Sequence, residues 1–197
     1  MPTRSPVEDI NINAENGERE DTKEKEKGTN RLILNSIMLL SWILVLEGIA
    51  YFLYRVFPVT EWYENLVRSP ADLPVIAFVI LWVIMFANSA LVGWFLSLGL
   101  KERAILCMFL VFWIQQVLNF AWIPTFLGYH QLVSALSIHG VAIVFTAILI
   151  VRLWTLKLEI LGVKTRTIGM MMVPYFLWLS YVTHLSAYVV IMNPSEL

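Results

Sequence analysis

The chain has 197 residues, of which 58 % are hydrophobic and 15 % are charged, and its formal net charge is −1. Soluble domains carry about 45–50 % apolar and about 25 % charged residues, so this composition excludes an ordinary soluble domain and indicates a membrane protein. The near-zero net charge gives no basis for nucleic-acid binding, and the single cysteine, Cys107, excludes an intrachain disulfide.

Residues 1–31 form the first predicted element, a charged tail. They hold six Lys or Arg residues, eight Asp or Glu residues and no aromatic residue. A segment with this composition cannot bury enough apolar surface to fold, so we expect it to be disordered and solvated. It lacks the apolar core of a secretory signal and is too acidic for a mitochondrial transit peptide.

Residues 32–193 are predicted to form an all-α membrane domain, a five-transmembrane-helix bundle. Five apolar runs each approach the roughly 20 residues that a helix needs to cross a hydrocarbon core of about 30 Å. Backbone polar groups in lipid must be satisfied within the segment, which favours helices, and none of the runs alternates like a barrel strand. The predicted spans are 32–57, 74–98, 104–122, 131–156 and 167–192.

The distribution of Lys and Arg predicts the orientation. With the N-terminus inside, twelve of these residues lie on the inner side, and two, Arg55 and Arg68, lie on the outer side. Because inner loops are enriched in Lys and Arg, we expect the N-terminus inside and the C-terminus outside. The 58–74 loop then lies on the outer face as a candidate lid. This bias favours a plasma membrane, with the mitochondrial outer membrane as the alternative.

Several polar side chains fall inside the spans, most of them between the midplane and the outer surface. They are Glu47, Asn88, Gln115, Gln116, Asn119, His139 and His184. A polar group in lipid costs free energy unless it is paired or faces a cavity, so this clustering predicts a shared cavity. The alternative is that each one only joins helices, at roughly 0.6 kcal/mol per hydrogen bond. Glu47 and His184 are matched in depth and are a candidate buried polar pair.

The third span carries the clearest polar face. Gln115, Asn119 and Trp122 follow i, i+4, i+7 spacing and therefore share one side of the helix. Amides beside an indole are suited to a flat, partly polar ligand. Pro124 is predicted to end this helix, because residues before proline disfavour helical geometry, and Gly128 to allow a tight turn.

Small residues line one side of the second span. Ser89, Gly93 and Ser97 follow i, i+4, i+8 spacing. Such a ridge lets helix backbones approach closely, so it predicts tight helix packing or a seam between copies of the chain.

Two motifs in the second half of the chain carry a family resemblance. The third span and its following turn contain the pattern Gln115-x3-Asn119-x2-Trp122-x-Pro124-x-Phe126-x-Gly128-x2-Gln131. The fifth span contains Pro174, Tyr175 and Trp178 in a Pro-Tyr-x2-Trp arrangement. Over about residues 104–193 the chain resembles the TspO/MBR family, also called tryptophan-rich sensory proteins or translocator proteins. It departs from the family where Ser186 and Ala187 replace an Asn and a Tyr.

The resemblance implies a homodimeric helical membrane protein that binds tetrapyrroles, such as porphyrin or haem, or sterol-like flat hydrophobic molecules beneath its first loop. By position it assigns Asn119, Trp122 and Trp178 to the pocket, with Trp82 in the place of a family Trp. Gln115 and Tyr175 complete the predicted ligand-binding set.

We therefore expect a ligand-binding membrane protein, a sensor, carrier or sequestering protein rather than an enzyme, with no required cofactor. Its expected partners are membrane lipid, a small hydrophobic ligand and a second copy of the chain. One alternative is a tetrapyrrole-modifying enzyme in which Glu47 or His184 transfers protons. Another is a ligand-free scaffold or transport subunit with Glu47 in a proton path. The three histidines lie on separate elements, which argues against a metal site.

Overall fold

The computed structural model describes the backbone of residues 6–196 and the side chains of residues 26–196. Within that part of the chain, five helical segments are long and apolar enough to cross a membrane: Glu26–Val56, Val75–Leu98, Arg103–Gly128, Leu132–Thr155 and Thr165–Met192. The predicted five-span helical fold is confirmed. The third span ends six residues later than predicted.

In chain order, the helices are α1 (Pro6–Val56), α2 (Glu61–Asn65), α3 (Val75–Leu98), α4 (Arg103–Ile123), α5 (Leu132–Thr155) and α6 (Thr165–Met192). A π-helical turn, Pro124–Gly128, follows α4, and a 3-10 turn, Pro194–Glu196, follows α6. Two short strands, β1 (Glu159–Ile160) and β2 (Val163–Lys164), lie between α5 and α6.

α1 begins much earlier than the sequence pattern predicts. Residues 6–31 were expected to be disordered, but they form the first part of this helix, while residues 1–5 lie outside the described range. The charged segment is rich in Glu, Lys and Arg, which are strong helix formers, and it has no proline after Pro6. The chain divides into two units, residues 1–40 and 41–197, and the described residues of the first unit, 6–40, belong to α1.

The core of the second unit lies among α3, α4, α5 and α6. α5 packs against α4 and α6, and α3 packs against the same two helices. Phe112, Leu149 and Leu179 are completely buried there. The α1 residues of this unit contribute to the same core: Trp42 packs against it and Leu46 is completely buried in it. Many large apolar side chains are exposed on the helices, as expected for surfaces that face lipid.

The small-residue ridge of α3 is used inside the chain. Ser89 and Gly93 are buried, and a Cβ at Gly93 would lie 2.8 Å from Phe112 Cζ and 2.9 Å from Trp42 Cζ3. Glycine is therefore needed for the close approach of two aromatic rings to α3. Of the two predicted uses, the structure shows helix packing within one chain.

We expect Gly93→Ala to lower the free energy of unfolding by about 1–3 kcal/mol, because the added methyl group overpacks these rings. Thermal unfolding of the detergent-solubilised protein measures the change. Gly140→Ala is the matched control, since a Cβ there meets nothing within 4 Å. Equal stability of the two variants would show that the rings move aside at little cost.

The end of α4 differs from the prediction. Pro124 ends the α geometry, but the backbone continues into the π turn, with Ile123 still helical at φ −56° and ψ −58°. Proline lacks an N–H and its ring crowds the preceding turn of an α-helix. The wider π turn accommodates the proline ring, and within this turn Tyr129 N donates to Pro124 O at 2.8 Å.

Gly128 has a different role from the predicted one. The positive φ in this connection belongs to His130, at 55°. A Cβ at Gly128 would collide with the Phe57 ring, so glycine is needed there because an aromatic ring packs on its backbone.

The connection between α5 and α6 forms a small hairpin. Glu159 pairs with Lys164 and Ile160 with Val163 in antiparallel register. Leu161 and Gly162 have φ values of 50° and 76°, the pair of positive values typical of a type I′ turn.

Candidate functional site

A cavity of about 250 Å³ lies between α3, α4, α6 and the α1 residues 47–54, and the 58–74 loop covers it. Its wall is mostly apolar, with polar groups from Glu47, Arg68, Ser69, Asp72 and Ser186. The aromatic members of the wall are Tyr51, Tyr54, Tyr63, Phe78, Trp82, Phe86, Trp122 and Phe126. Such a lining suits an apolar ligand that presents flat faces.

α3 contributes an aromatic ladder to this wall. Phe78, Trp82 and Phe86 follow i, i+4, i+8 spacing, and their ring centroids are 6.2 Å and 4.9 Å apart in sequence order. Trp178 lies against this ladder, edge-on to Trp82 at 6.0 Å and 5.3 Å from Phe78. The cavity wall includes Trp82 but not Trp178, so Trp178 supports the ladder from α6.

α4 contributes a second aromatic group. The Trp122 ring stacks on Phe126 at 4.9 Å and on His139 at 4.8 Å, with interplanar angles of 12° and 13°. Trp122 and Phe126 both line the cavity. His139, on α5, is completely buried, and its position fixes the plane of the indole.

Gln115, Asn119 and Tyr175 lie away from the cavity wall. The Tyr175 hydroxyl accepts hydrogen bonds from Gln115 Nε2, at 2.7 Å, and from Asn119 Nδ2, and it donates to Gln116 Oε1 at 3.3 Å. Gln116 Nε2 in turn donates to Ser89 Oγ at 2.8 Å. We call these five residues the Tyr175 cluster. It joins α3, α4 and α6. All five side chains are completely buried.

Gln115, Asn119 and Tyr175 were expected on the pocket wall, but the structure places them in the Tyr175 cluster instead. The spacing correctly places Gln115 and Asn119 on one side of α4, but that side meets the Tyr175 hydroxyl of α6. Amides inside a lipid-embedded bundle gain most from polar groups of neighbouring helices, because lipid offers no hydrogen-bond partner. Of the predicted ligand-binding residues, Trp82 and Trp122 are the ones on the wall.

The predicted pairing of Glu47 with His184 is wrong. Glu47 lies on the cavity wall, but His184 is exposed on α6, and no ion pair joins them within residues 26–196. The α6 residues that face the cavity are Val182, Leu185, Ser186 and Val189. His184 falls on the opposite side of α6, since two residues correspond to about 200° of helical rotation.

Asn88, another polar residue inside a predicted span, has a partner on a neighbouring helix. Asn88 donates from Nδ2 to Met171 O at 2.7 Å and so joins α3 to α6. Among residues 26–196, no group of three His, Cys, Asp or Glu residues is placed to hold a metal ion.

The 58–74 loop is attached to the C-terminal end of α6. Asn193 accepts from Val67 N at 2.9 Å through Oδ1 and donates to Val67 O at 3.1 Å through Nδ2. The Tyr181 hydroxyl donates to Ala71 O at 2.6 Å. Trp62, on α2, donates from Nε1 to Glu196 Oε2 at 2.9 Å. These bonds hold the loop across the cavity.

A charged pair within the loop lies beside the cavity. Arg68 forms an ion pair with Asp72 at 3.3 Å, and its guanidinium lies 5.2 Å from the centre of the Tyr63 ring. Burial and the charge of Asp72 raise the pKa of Tyr63, while Arg68 acts in the opposite direction. The Tyr63 hydroxyl therefore stays neutral at physiological pH.

Several aromatic residues of the wall were not among the predicted site residues. Tyr51 and Tyr54 follow Glu47 at i+4 and i+7, and Phe78 and Phe86 flank Trp82 at four-residue spacing. Both patterns were present in the sequence. They identify the side of α1 and the side of α3 that meet at the cavity.

A protein-family model described as the TspO/MBR family matches residues 42–192. The match covers most of the chain and includes residues from every helix that lines the cavity. No curated protein matches the chain.

Proposed function

The chain belongs to the TspO/MBR family and is an integral, multi-pass membrane protein, and from this premise we propose that it binds a flat hydrophobic ligand in the cavity beneath the 58–74 loop. The ligand class is a tetrapyrrole, such as porphyrin or haem, or a sterol-like molecule. The protein then acts as a sensor, a carrier or a sequestering protein.

One observation carries this proposal: the cavity has aromatic walls on two sides and a tethered loop above. The α3 ladder supplies ring faces on one side, and the stacked Trp122 and Phe126 supply them on another. Aromatic walls gain dispersion energy from a flat ligand and hold its orientation. A loop that opens and closes gives such a ligand access.

We expect Trp82→Ala to weaken the binding of protoporphyrin IX about tenfold, the equivalent of roughly 1.4 kcal/mol of lost ring contact. Titration of the detergent-solubilised protein, followed by porphyrin absorbance and tryptophan quenching, measures the affinity. Trp178→Ala is expected to have a smaller effect, since Trp178 acts through Trp82.

Trp154→Ala is the matched control for this experiment. Trp154 lies at the end of α5, is 44 % exposed and does not line the cavity. If Trp82→Ala and Trp154→Ala bind protoporphyrin, haem and cholesterol as the unaltered protein does, the cavity is not the binding site.

We also propose that the N-terminus faces the inside, that the cavity lies toward the outer surface, and that the protein is a homodimer of the plasma membrane. The distribution of Lys and Arg supports the orientation, because all but two of them, Arg55 and Arg68, then lie on the inner side. Family membership supports the dimer.

A further inference from the structure

Three charged residues line the cavity, Glu47, Arg68 and Asp72, and they differ in whether they have an ion-pair partner. Arg68 and Asp72 pair with each other at 3.3 Å. Glu47 does not share in that pair, and its Oε1 is buried with no hydrogen-bond partner within residues 26–196. The carboxyl group of Glu47 is therefore available to a molecule that enters the cavity.

An unpaired carboxyl group in apolar surroundings is costly. It is stabilised by a proton or by a positively charged donor at short distance. The other charged groups on the wall do not supply one, because the Arg68 guanidinium is held by Asp72 and stacks over Tyr63. A bound ligand is the remaining source of a cation.

The surroundings of Glu47 suit a cationic nitrogen on an aromatic or otherwise apolar ligand. Tyr51 and Tyr54 follow it on the same side of α1, and Trp82 and Phe86 contribute ring faces from α3. Aromatic faces attract cations, and the attraction grows when the cation is removed from water. A cationic ligand at this place can thus form an ion pair with the Glu47 carboxylate and cation–π contacts with the surrounding rings.

We propose that Glu47 selects amphipathic amines, ligands with a flat apolar body and a protonated nitrogen that donates a hydrogen bond to the Glu47 carboxylate. The inference rests on the proposed function, since it requires the cavity to be the binding site. It narrows the ligand class from flat hydrophobic molecules to those that carry a cationic nitrogen.

The test uses two probes of the same shape, 1-pyrenemethylamine and 1-pyrenemethanol, with the full chain in nonionic detergent and protein-free micelles as the reference. Pyrene fluorescence reports binding. We expect the unaltered protein to bind the amine about tenfold more tightly than the alcohol. Glu47→Gln is expected to abolish this preference while keeping the affinity for the alcohol. Glu102→Gln, a change at an exposed carboxylate outside the cavity, is expected to keep the preference.

Glu47→Met is the second variant, because an apolar side chain of similar length needs no hydrogen-bond partner in the cavity. Size-exclusion chromatography shows whether each variant is folded. Equal binding of the two probes by the unaltered protein, or a preference that survives both Glu47 substitutions, overturns the selection of amines and leaves the proposed function intact. If neither pyrene probe nor protoporphyrin IX binds, both proposals fail.

Discussion

Tyr175→Phe is expected to lower the free energy of unfolding by about 2–5 kcal/mol, the largest effect that we expect from the loss of a single oxygen atom in this protein. The Tyr175 hydroxyl accepts from two amides and donates to a third. Three bonds at the membrane average of about 0.6 kcal/mol each give a floor of roughly 2 kcal/mol. Leaving buried amides without a partner costs about 1–3 kcal/mol for each group, which raises the estimate.

The measurement is the loss of helical signal during thermal or denaturant unfolding of the purified protein. Tyr129→Phe is the matched control: Tyr129 is 69 % exposed, and phenylalanine keeps its ring beside Phe57. We expect the control to unfold like the unaltered protein. If the two variants are equally stable, the amides of Gln115, Gln116 and Asn119 find new partners when the hydroxyl is removed.

The same variant separates structural from ligand-binding roles in the Tyr175 cluster. Since Gln115, Asn119 and Tyr175 do not line the cavity, we expect Tyr175→Phe protein that remains folded to bind protoporphyrin IX nearly as tightly as the unaltered protein. A loss of affinity comparable to that of Trp82→Ala would instead place the cluster in contact with the ligand.

The five spans were predictable because their signal is local. An apolar run of about 20 residues needs no information about its neighbours to be a membrane helix. The charged start of α1 was not predicted, because low hydrophobicity indicates disorder while the Glu and Lys content favours helix. The two criteria conflict at residues 6–31, and the structure has helix there.

The candidate site was only partly predictable, since helical spacing shows which residues share a side but not which helix that side meets. Gln115 and Asn119 do share one side of α4, but that side faces Tyr175. Glu47 lies on the cavity wall, while its predicted partner, His184, lies on the side of α6 that faces away from the cavity.

Asn193→Leu is expected to release the 58–74 loop and to speed the dissociation of a bound porphyrin by about 10–100-fold. Asn193 makes two bonds to Val67 of the loop and a third to Val189 O of α6, at 2.8 Å. At about 1 kcal/mol each, the two loop bonds are worth roughly 1–3 kcal/mol, or one to two decades in the opening equilibrium. Leucine has the same branched side-chain shape and number of heavy atoms but cannot make these bonds.

Stopped-flow displacement of protoporphyrin IX measures the dissociation rate, and hydrogen exchange of residues 58–74 reports the loop without any ligand. Ser195→Ala is the control, since Ser195 is exposed two residues away. Faster exchange of the loop together with faster dissociation would show that the Asn193 bonds keep the cavity closed. Faster loop exchange with an unchanged dissociation rate would mean that the ligand leaves between helices and that opening of the loop does not limit its exit. Tyr181 donates to Ala71 O at a second point of the loop, so Tyr181→Phe combined with Asn193→Leu should have a larger effect than either change alone if the loop moves as one body.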